Sequence, residues 1–426
     1  MADMSPSAGF RARVIEGPGR LFSDPETWAD MDEWHRAVAD VRRSDPVLCV
    51  DTDVFQTFWV LTRHADVFAV SRDNERWLNT PRSVLAPDAE WEQLLTSGFP
   101  LPASLVHLDG KEHRDHRAVT NEWFKPASVK NRQPRIDEIA DLFIDRMREL
   151  GGECDFAADI AAPYTLRVIM DIYGVPEEDE PLMLQLTQGL FGAADPEYLG
   201  DATDPQAKLA ETVMQYIQYF NEVTSDRREH PRDDLATVIA NGEVDGGPMN
   251  DLHRLWYYII VATAGHDTTS FALSGGMEAL LRHPSQLKAL QADPDLVVNA
   301  ADEMIRWTSP VRHFLRYATA DTEVGGVAIP EGGRVLLSYP SANRDEDVFV
   351  DAMSFDISRP DADKLLSFGV GAHFCLGAQF ARREVRTMLS KLAPALDHIE
   401  LAGEPQWALS HFVSGVKHLP VTYSLR

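Results

Sequence analysis

Apolar residues recur three and four apart over Trp28–Val41, Ile136–Leu150, Ile160–Ile172, Leu209–Val223, Leu252–Leu281 and Val297–Trp307. That spacing puts them on one face of a 3.6-residue turn, so each stretch is expected to be a helix with a buried stripe. Short β-prone runs occur at Val47–Val50 with Phe58–Thr62, and at Val324–Ile329 with Val335–Ser338. The later pair is expected to form hairpins around Gly325-Gly326 and Pro330-Glu331-Gly332-Gly333. The fold class is therefore mainly α with minor β. Pro81–Val106, Gly192–Pro205 and Asp345–Leu366 show no clear period and are expected to be long loops, a form usually kept for lids and binding segments. No repeat interrupts the chain and its Pro/Gly stretches are turn-length, so one domain over residues 1–426 is expected.

Charge narrows the partners. The 426 residues carry 67 Asp and Glu against 40 Lys and Arg, a formal charge of −27. Such a surface repels phosphate backbones and anionic lipid, so no nucleic acid and no membrane surface is expected as a partner. The first residues lack an apolar core behind a basic start, and the longest apolar stretch, Leu255–Gly265, falls short of the ~20 residues that span a bilayer. No membrane anchor is expected. Cys49, Cys154 and Cys375 are too sparse for a disulfide framework, which fits a reducing cytoplasm.

The chemistry concentrates at Cys375. It lies in Ser367-Phe368-Gly369-Val370-Gly371-Ala372-His373-Phe374-Cys375-Leu376-Gly377-Ala378, just before a helical pattern beginning at Gln379. Glycines allow a tight loop to approach a flat ligand, and a helix N-terminus favours thiolate over thiol. A small buried hydrophobe, a hydrolase nucleophile and a zinc ligand are the competing readings. The first is what most single intracellular cysteines are. The second lacks a protease signature, and the third lacks further ligands nearby.

The pattern at Phe368, Gly369, Gly371, His373, Cys375 and Gly377 resembles the haem-binding loop of the cytochrome P450 superfamily. Further segments match in order along essentially the whole chain. Glu303-Met304-Ile305-Arg306, with Arg359, resembles the family's structural ion-pair cluster. Ala264-Gly265-His266-Asp267-Thr268-Thr269, inside the long apolar helix, resembles its oxygen-activation motif, and a mid-helix Gly beside Thr predicts local distortion there. Asp109, His113 and Arg117 match a helix whose His and Arg, four apart, bind a haem propionate; Gly110-Lys111 stands where Pro-Pro is usual. Gly174-Val175-Pro176 and Asn343-Arg344-Asp345-Glu346 follow in place.

The resemblance implies a P450 fold with a long central helix and a haem-thiolate loop. It also implies haem b (iron protoporphyrin IX) with Cys375 as axial metal ligand, and cofactor contacts from His113, Arg117, Ala264, Gly265, Arg316, Phe368, Gly369, His373 and Gly377. Asp267 would relay protons and Thr268 would hold the proton donor beside bound O2. The implied reaction is hydroxylation of a C–H bond with one oxygen atom of O2. A peroxide-driven peroxygenase and a non-catalytic haem sensor are the alternatives; the Asp267-Thr268 pair argues against the first, while the second would keep Cys375, need no proton relay and show no substrate-driven spin shift. No flavin or iron–sulfur signature is present, so a separate ferredoxin or flavoprotein must donate electrons. Lys111, Arg114, Lys125, Lys130, Arg132, Arg382 and Arg383 would form its basic docking patch. The substrate is expected to be a neutral hydrophobic small molecule lying among Pro81–Val106, Leu190–Phe191, Val261–Ala264, Val311–Phe314 and Phe412–Val413. Phe412–Pro420 and Asn121–Pro126 look like bacterial terpenoid and aromatic-hydrocarbon hydroxylases.

Overall fold

Each predicted apolar stripe lies on a helix. In the computed structural model, which describes residues 17–426 apart from 29, 53, 99–100, 192–194, 201–204 and 411, the helices run Met31–Ser44, Gln133–Leu150, Ala162–Tyr173, Pro205–Glu229 and Val297–Thr308 at those stripes. Tyr164, Leu273, Leu280, Met304, Leu389 and Leu392, each at most 1% exposed, belong to the principal core. Burying a large aliphatic side chain contributes about 1.5–3 kcal/mol, so this packing dominates the weak helix propensities.

The expected single helix Leu252–Leu281 is two, Asp251–Ala264 and Asp267–Arg282, parted at Gly265-His266. Thr263 and Thr268 each donate their hydroxyl to the carbonyl four residues back, Ile259 at 2.7 Å and Ala264 at 2.8 Å. Such back-bonding bends a helix. The stripe Ile160–Ile172 also starts differently: Phe156–Ala161 forms a π turn, capped by Asp155, before the α-helix.

A five-stranded sheet has the order Val47–Val50, Phe58–Leu61, Arg334–Ser338, His313–Ala318, Trp77–Leu78, with the Phe58–Leu61 and Arg334–Ser338 pair parallel. Here the hairpin expectation is half right. Thr322–Val324 and Val327–Ile329 pair with each other, but Arg334–Ser338 pairs with His313–Ala318 and Phe58–Leu61. The strand His313–Ala318, which holds Arg316, and a second sheet of Leu396–Leu401, Pro420–Leu425 and Glu153–Asp155 were not anticipated.

Pro81–Val106 is not all loop, since Asp88–Thr96 is helical. Within Gly192–Pro205, Pro196–Leu199 forms one helical turn and residues 192–194 and 201–204 lie outside the described residues. Asp345–Leu366 is a chain of turns with one 3-10 turn, Ala362–Lys364.

What holds those turns is buried charge. Glu303 and Arg306, both fully buried, pair at 2.6 Å, and Arg359 joins Glu303 at 2.9 Å. Arg306 also donates to the carbonyls of Asn343 (2.6 Å), Ala352 (3.1 Å) and Ser354 (3.3 Å). Asn343 donates to Ser309 and Ser367, each at 2.8 Å, and accepts the Leu366 N–H at 2.7 Å. The helix Val297–Thr308 thereby fixes the segment entering the cysteine loop.

Candidate active site

Cys375 stands two residues before Gly377, the N-cap of the helix Ala378–Ala395. Its N–H donates to the Phe368 carbonyl at 2.8 Å, which closes the loop. The loop leans on the helix His64–Arg72. Ala372 N–H donates to Asn74 Oδ1 at 2.9 Å, and Gly371, at φ +78°, comes so near that a Cβ would lie 2.9 Å from the Ser71 carbonyl. A side chain there would meet both strain and backbone, which is why glycine occupies the position. A Cβ on Gly377 would meet no protein atom within 4 Å.

Cys375 lines a cavity of about 880 Å³. The thiol was expected to be stabilised as thiolate, and the means are present: the Gly377 and Ala378 N–H groups and the Arg117 and Arg382 charges all favour S⁻. Burial outweighs them and pushes the thiol up. Coordination to a metal ion would deprotonate the thiol outright.

Across the cavity run the two helices of the broken pair. Ala264, Gly265 and Thr268 line it, as do His113, Arg117, Arg316, Phe368, Gly369, His373 and Gly377, so nearly all expected site residues converge from five separate segments. Asp267 is the exception. Its carboxyl is not part of the lining and instead lies 3.0 Å from Nδ1 of His266.

Basic groups gather at one edge. The rings of His113 and His373 lie 4.1 Å apart, and Nε2 of His373 is 3.6 Å from Asp109 Oδ1. Burial would raise the Asp109 pKa, but bonds from His373, the Asn79 and Thr80 N–H groups and the Thr80 hydroxyl hold it well below the usual carboxylate range. Burial, His373 and Arg117 bring His113 down to about 3, so it is a neutral imidazole here. Arg117 donates to the Phe374 carbonyl at 2.7 Å. Arg316 is 1% exposed, donates to its neighbour Leu315, and has no ion pair among the described residues. Nε of Arg316 and Nε2 of His113 are buried without a partner. A buried cation and an unpartnered imidazole nitrogen are costly unless an anion answers them, so this edge fits the acidic substituents of a flat group seated on Cys375.

The distal lining is apolar, as expected, with Val84, Leu190, Val261, Val311, Phe314, Phe412 and Val413 taking part. The side chain of Phe191 lies outside the described residues. Leu209, Ala210 and Val213 of the helix Pro205–Glu229 and Trp256 also contribute, although their helical stripes read as ordinary core. Glu384 was missed as well. It lines the cavity, is buried with Oε2 unpartnered, and burial pushes its carboxyl well above the usual range. In sequence it is one polar residue of a charged helix, and nothing marks it as inward-facing.

The expected basic patch is partly neutralised. Lys111 pairs with Asp115 and Asp245, Lys125 with Glu122 and Arg382 with Asp302, while Arg132 stacks on Trp123. Arg114, Lys130 and Arg383 carry no ion pair among the described residues. Arg114 and Arg72 line a smaller pocket of about 400 Å³ that shares His113 and His373 with the main cavity.

The sequence profile of the cytochrome P450 family matches residues 55–393. Cytochrome P450-terp of Pseudomonas sp is 38% identical over 424 residues, covering 97% of this chain and 99% of that protein. Among solved structures, CYP108D1 of Novosphingobium aromaticivorans superposes with a TM-score of 0.88 at 40% identity, covering 96% and 98% of the two chains. Mycobacterium marinum CYP268A2 in complex with pseudoionone gives 0.86 at 33%, covering 93% and 97%. The chain belongs to the cytochrome P450 family. It is an oxygen-incorporating oxidoreductase, and its family binds haem through a cysteine thiolate. Among the described residues no helix is long and apolar enough to cross a membrane.

Proposed function

We propose that the chain holds haem b through a Cys375 thiolate and hydroxylates a C–H bond of a neutral hydrophobic molecule with one atom of O2. The observation that carries this is Cys375 in the wall of an apolar cavity whose edge buries the unpartnered donors of Arg316 and His113. Bound thiolate-ligated haem would supply O2 binding, one-electron reduction and O–O cleavage. Arg117, Arg316, His113 and His373 would donate to its propionates. Ala264 and Gly265, small residues of the cavity wall, would contact the haem from the helix break. Thr268 already spends its hydroxyl hydrogen on the Ala264 carbonyl, so its lone pairs are free to hold a water or other proton donor at the reaction centre. Asp267 would pass protons to it from solvent, with the residue roles assigned above as the operative set.

The apolar lining supports a hydrophobic substrate, and the likeness to P450-terp and to a pseudoionone-bound enzyme supports a terpenoid-like one. Electrons would arrive from a separate ferredoxin or flavoprotein docking around Arg114, Lys130 and Arg383. Three free cysteines suit a cytoplasmic setting.

The test is the difference spectrum of the reduced protein with and without carbon monoxide, on the wild type and on Cys375→Ala. A strongly red-shifted Soret band present only in the wild type is the expected result. A band at the position of histidine-ligated haem, or no band, overturns the proposal.

A further inference from the structure

The chain between the strand Trp77–Leu78 and the helix Gly110–Thr120 ends in a 3-10 turn, Leu105–His107. That turn is held from several sides. Leu105 and Leu108 are buried, Asn79 Nδ2 donates to the Val106 carbonyl at 3.1 Å, and the His107 N–H donates to the Ser104 carbonyl at 2.8 Å. The ring is tied as well, with Nδ1 of His107 lying 2.9 Å from Ser104 Oγ.

Ser104 is buried, and its hydroxyl has no other partner among the described residues. Were Nδ1 the donor, the hydroxyl hydrogen would be sealed in without an acceptor, whereas an oxygen lone pair goes unused at less cost. Ser104 therefore donates, and the ring hydrogen sits on Nε2. The ring is neutral: burial brings its pKa down to about 4, and no neighbouring charge offsets that. Nε2 meets no protein acceptor among the described residues. His107 and Ser104 both line the main cavity, together with apolar Val84, Leu94, Leu105 and Val106. An N–H in such a wall disfavours a pure hydrocarbon and favours a ligand that brings an acceptor.

We propose that His107 is a specificity-determining residue whose Nε2–H donates to one oxygen, a carbonyl or a hydroxyl, on an otherwise hydrophobic substrate. The inference rests on the hydrophobic substrate class proposed above and narrows it. Because the turn is fixed, an oxygen anchored there limits which carbons of the substrate reach the reaction centre beside Thr268. Ser104 is a positioning residue that acts through the ring. A ketone answers only a donor, whereas an alcohol answers a donor or an acceptor, so the two together separate the tautomers.

The probes are p-menthane, menthone and menthol, one ring skeleton bearing no oxygen, a carbonyl or a hydroxyl. Dissociation constants come from spectral titration of ferric holoenzyme, wild type and His107→Phe, each with a normal carbon monoxide spectrum. The selectivity for menthone over p-menthane should fall about three- to tenfold in His107→Phe, the range of one neutral hydrogen bond. Comparing ratios between the two proteins cancels the differing solubilities of the probes. Equal selectivity in the two proteins, or no binding of menthone to the wild type, overturns the proposal. Ser104→Ala frees the ring to carry its hydrogen on Nδ1, so it should lower the selectivity for menthone several-fold while keeping that for menthol. A menthone selectivity unchanged by Ser104→Ala overturns the tautomer assignment, and this arm decides alone if His107→Phe loses its carbon monoxide band. A wild type without that band brings down the haem reading instead. The probes are then titrated through the fluorescence of Trp91 and Trp256, which line the same cavity.

Discussion

Thr268 shows how one hydroxyl divides between structure and chemistry. Its hydrogen goes to the Ala264 carbonyl and stabilises the bend, which leaves the oxygen to accept at the cavity wall. Thr268→Ala should leave reductant consumption nearly intact and raise the peroxide formed per reductant several-fold; a measured ratio equal to wild type would contradict its role. Asp267→Asn should slow turnover by roughly tenfold or more, within the range of lost general acid–base catalysis, with little change in substrate binding by spectral titration. Most site residues were legible one by one because His113, Arg117, His373 and Cys375 stand in spaced motifs. Two features were not. The turn of Asp267 away from the cavity follows from a helix break whose geometry depends on Ala162 and Thr165, about a hundred residues away. The upward push on the Cys375 thiol follows from desolvation by segments that meet only in the fold, which no local pattern encodes.

At the scale of elements, buried ion pairs do what the apolar stripes cannot, since the turns of Asp345–Leu366 have little stripe of their own. Removing one partner of a buried pair leaves an uncompensated charge and costs about 3–5 kcal/mol. Glu303→Gln should cost that order of stability in urea unfolding, and the loosened cysteine loop should release haem faster, read by transfer to an apo-haem acceptor. A second clamp joins the turn Pro196–Leu199 to the strand Val416–His418: His418 lies 2.6 Å from Asp155 and 2.9 Å from Glu197, and Lys417 lies 2.7 Å from Asp195. Burial would lower the His418 pKa, but its bonds to Asp155 and Glu197 raise it overall. A raised folded-state value stabilises fully below the unfolded value near 6.5 and loses that contribution as pH climbs through the folded one. The difference in urea midpoint between wild type and His418→Gln should therefore be largest at about pH 6 and shrink by about pH 9. A difference that stays flat with pH would contradict the clamp. The sequence revealed the stripes and the ion-pair motif but not this clamp, whose partners are more than two hundred residues apart.

Over the whole molecule, charge is the governing quantity. At −27 the protein repels an acidic electron donor at long range, so any basic face must act locally, within a Debye length of about 10 Å at 0.1 M salt. Much of the expected patch is spent on internal pairs, so the proposed docking would fall on Arg114, Lys130 and Arg383. Arg114→Glu should slow reduction by an acidic ferredoxin several-fold at low ionic strength, with the gap closing as salt is added in stopped-flow measurements. An equal rate at low salt would place docking elsewhere.

The sequence by itself determined the helical class, the stripes that build the core, the cysteine loop, and the motif residues that converge on one cavity. It could do so because helix periodicity is local and because the chemistry of a thiolate loop tolerates few alternatives at fixed spacing. Only the tertiary structure decided which strands pair, where the long helix breaks, and which charges are spent internally. It also decided which carboxyls, Glu384 and Asp267, face toward or away from the cavity. Each of these depends on contacts between segments far apart in the chain, where burial and donor–acceptor matching are settled only when the segments meet.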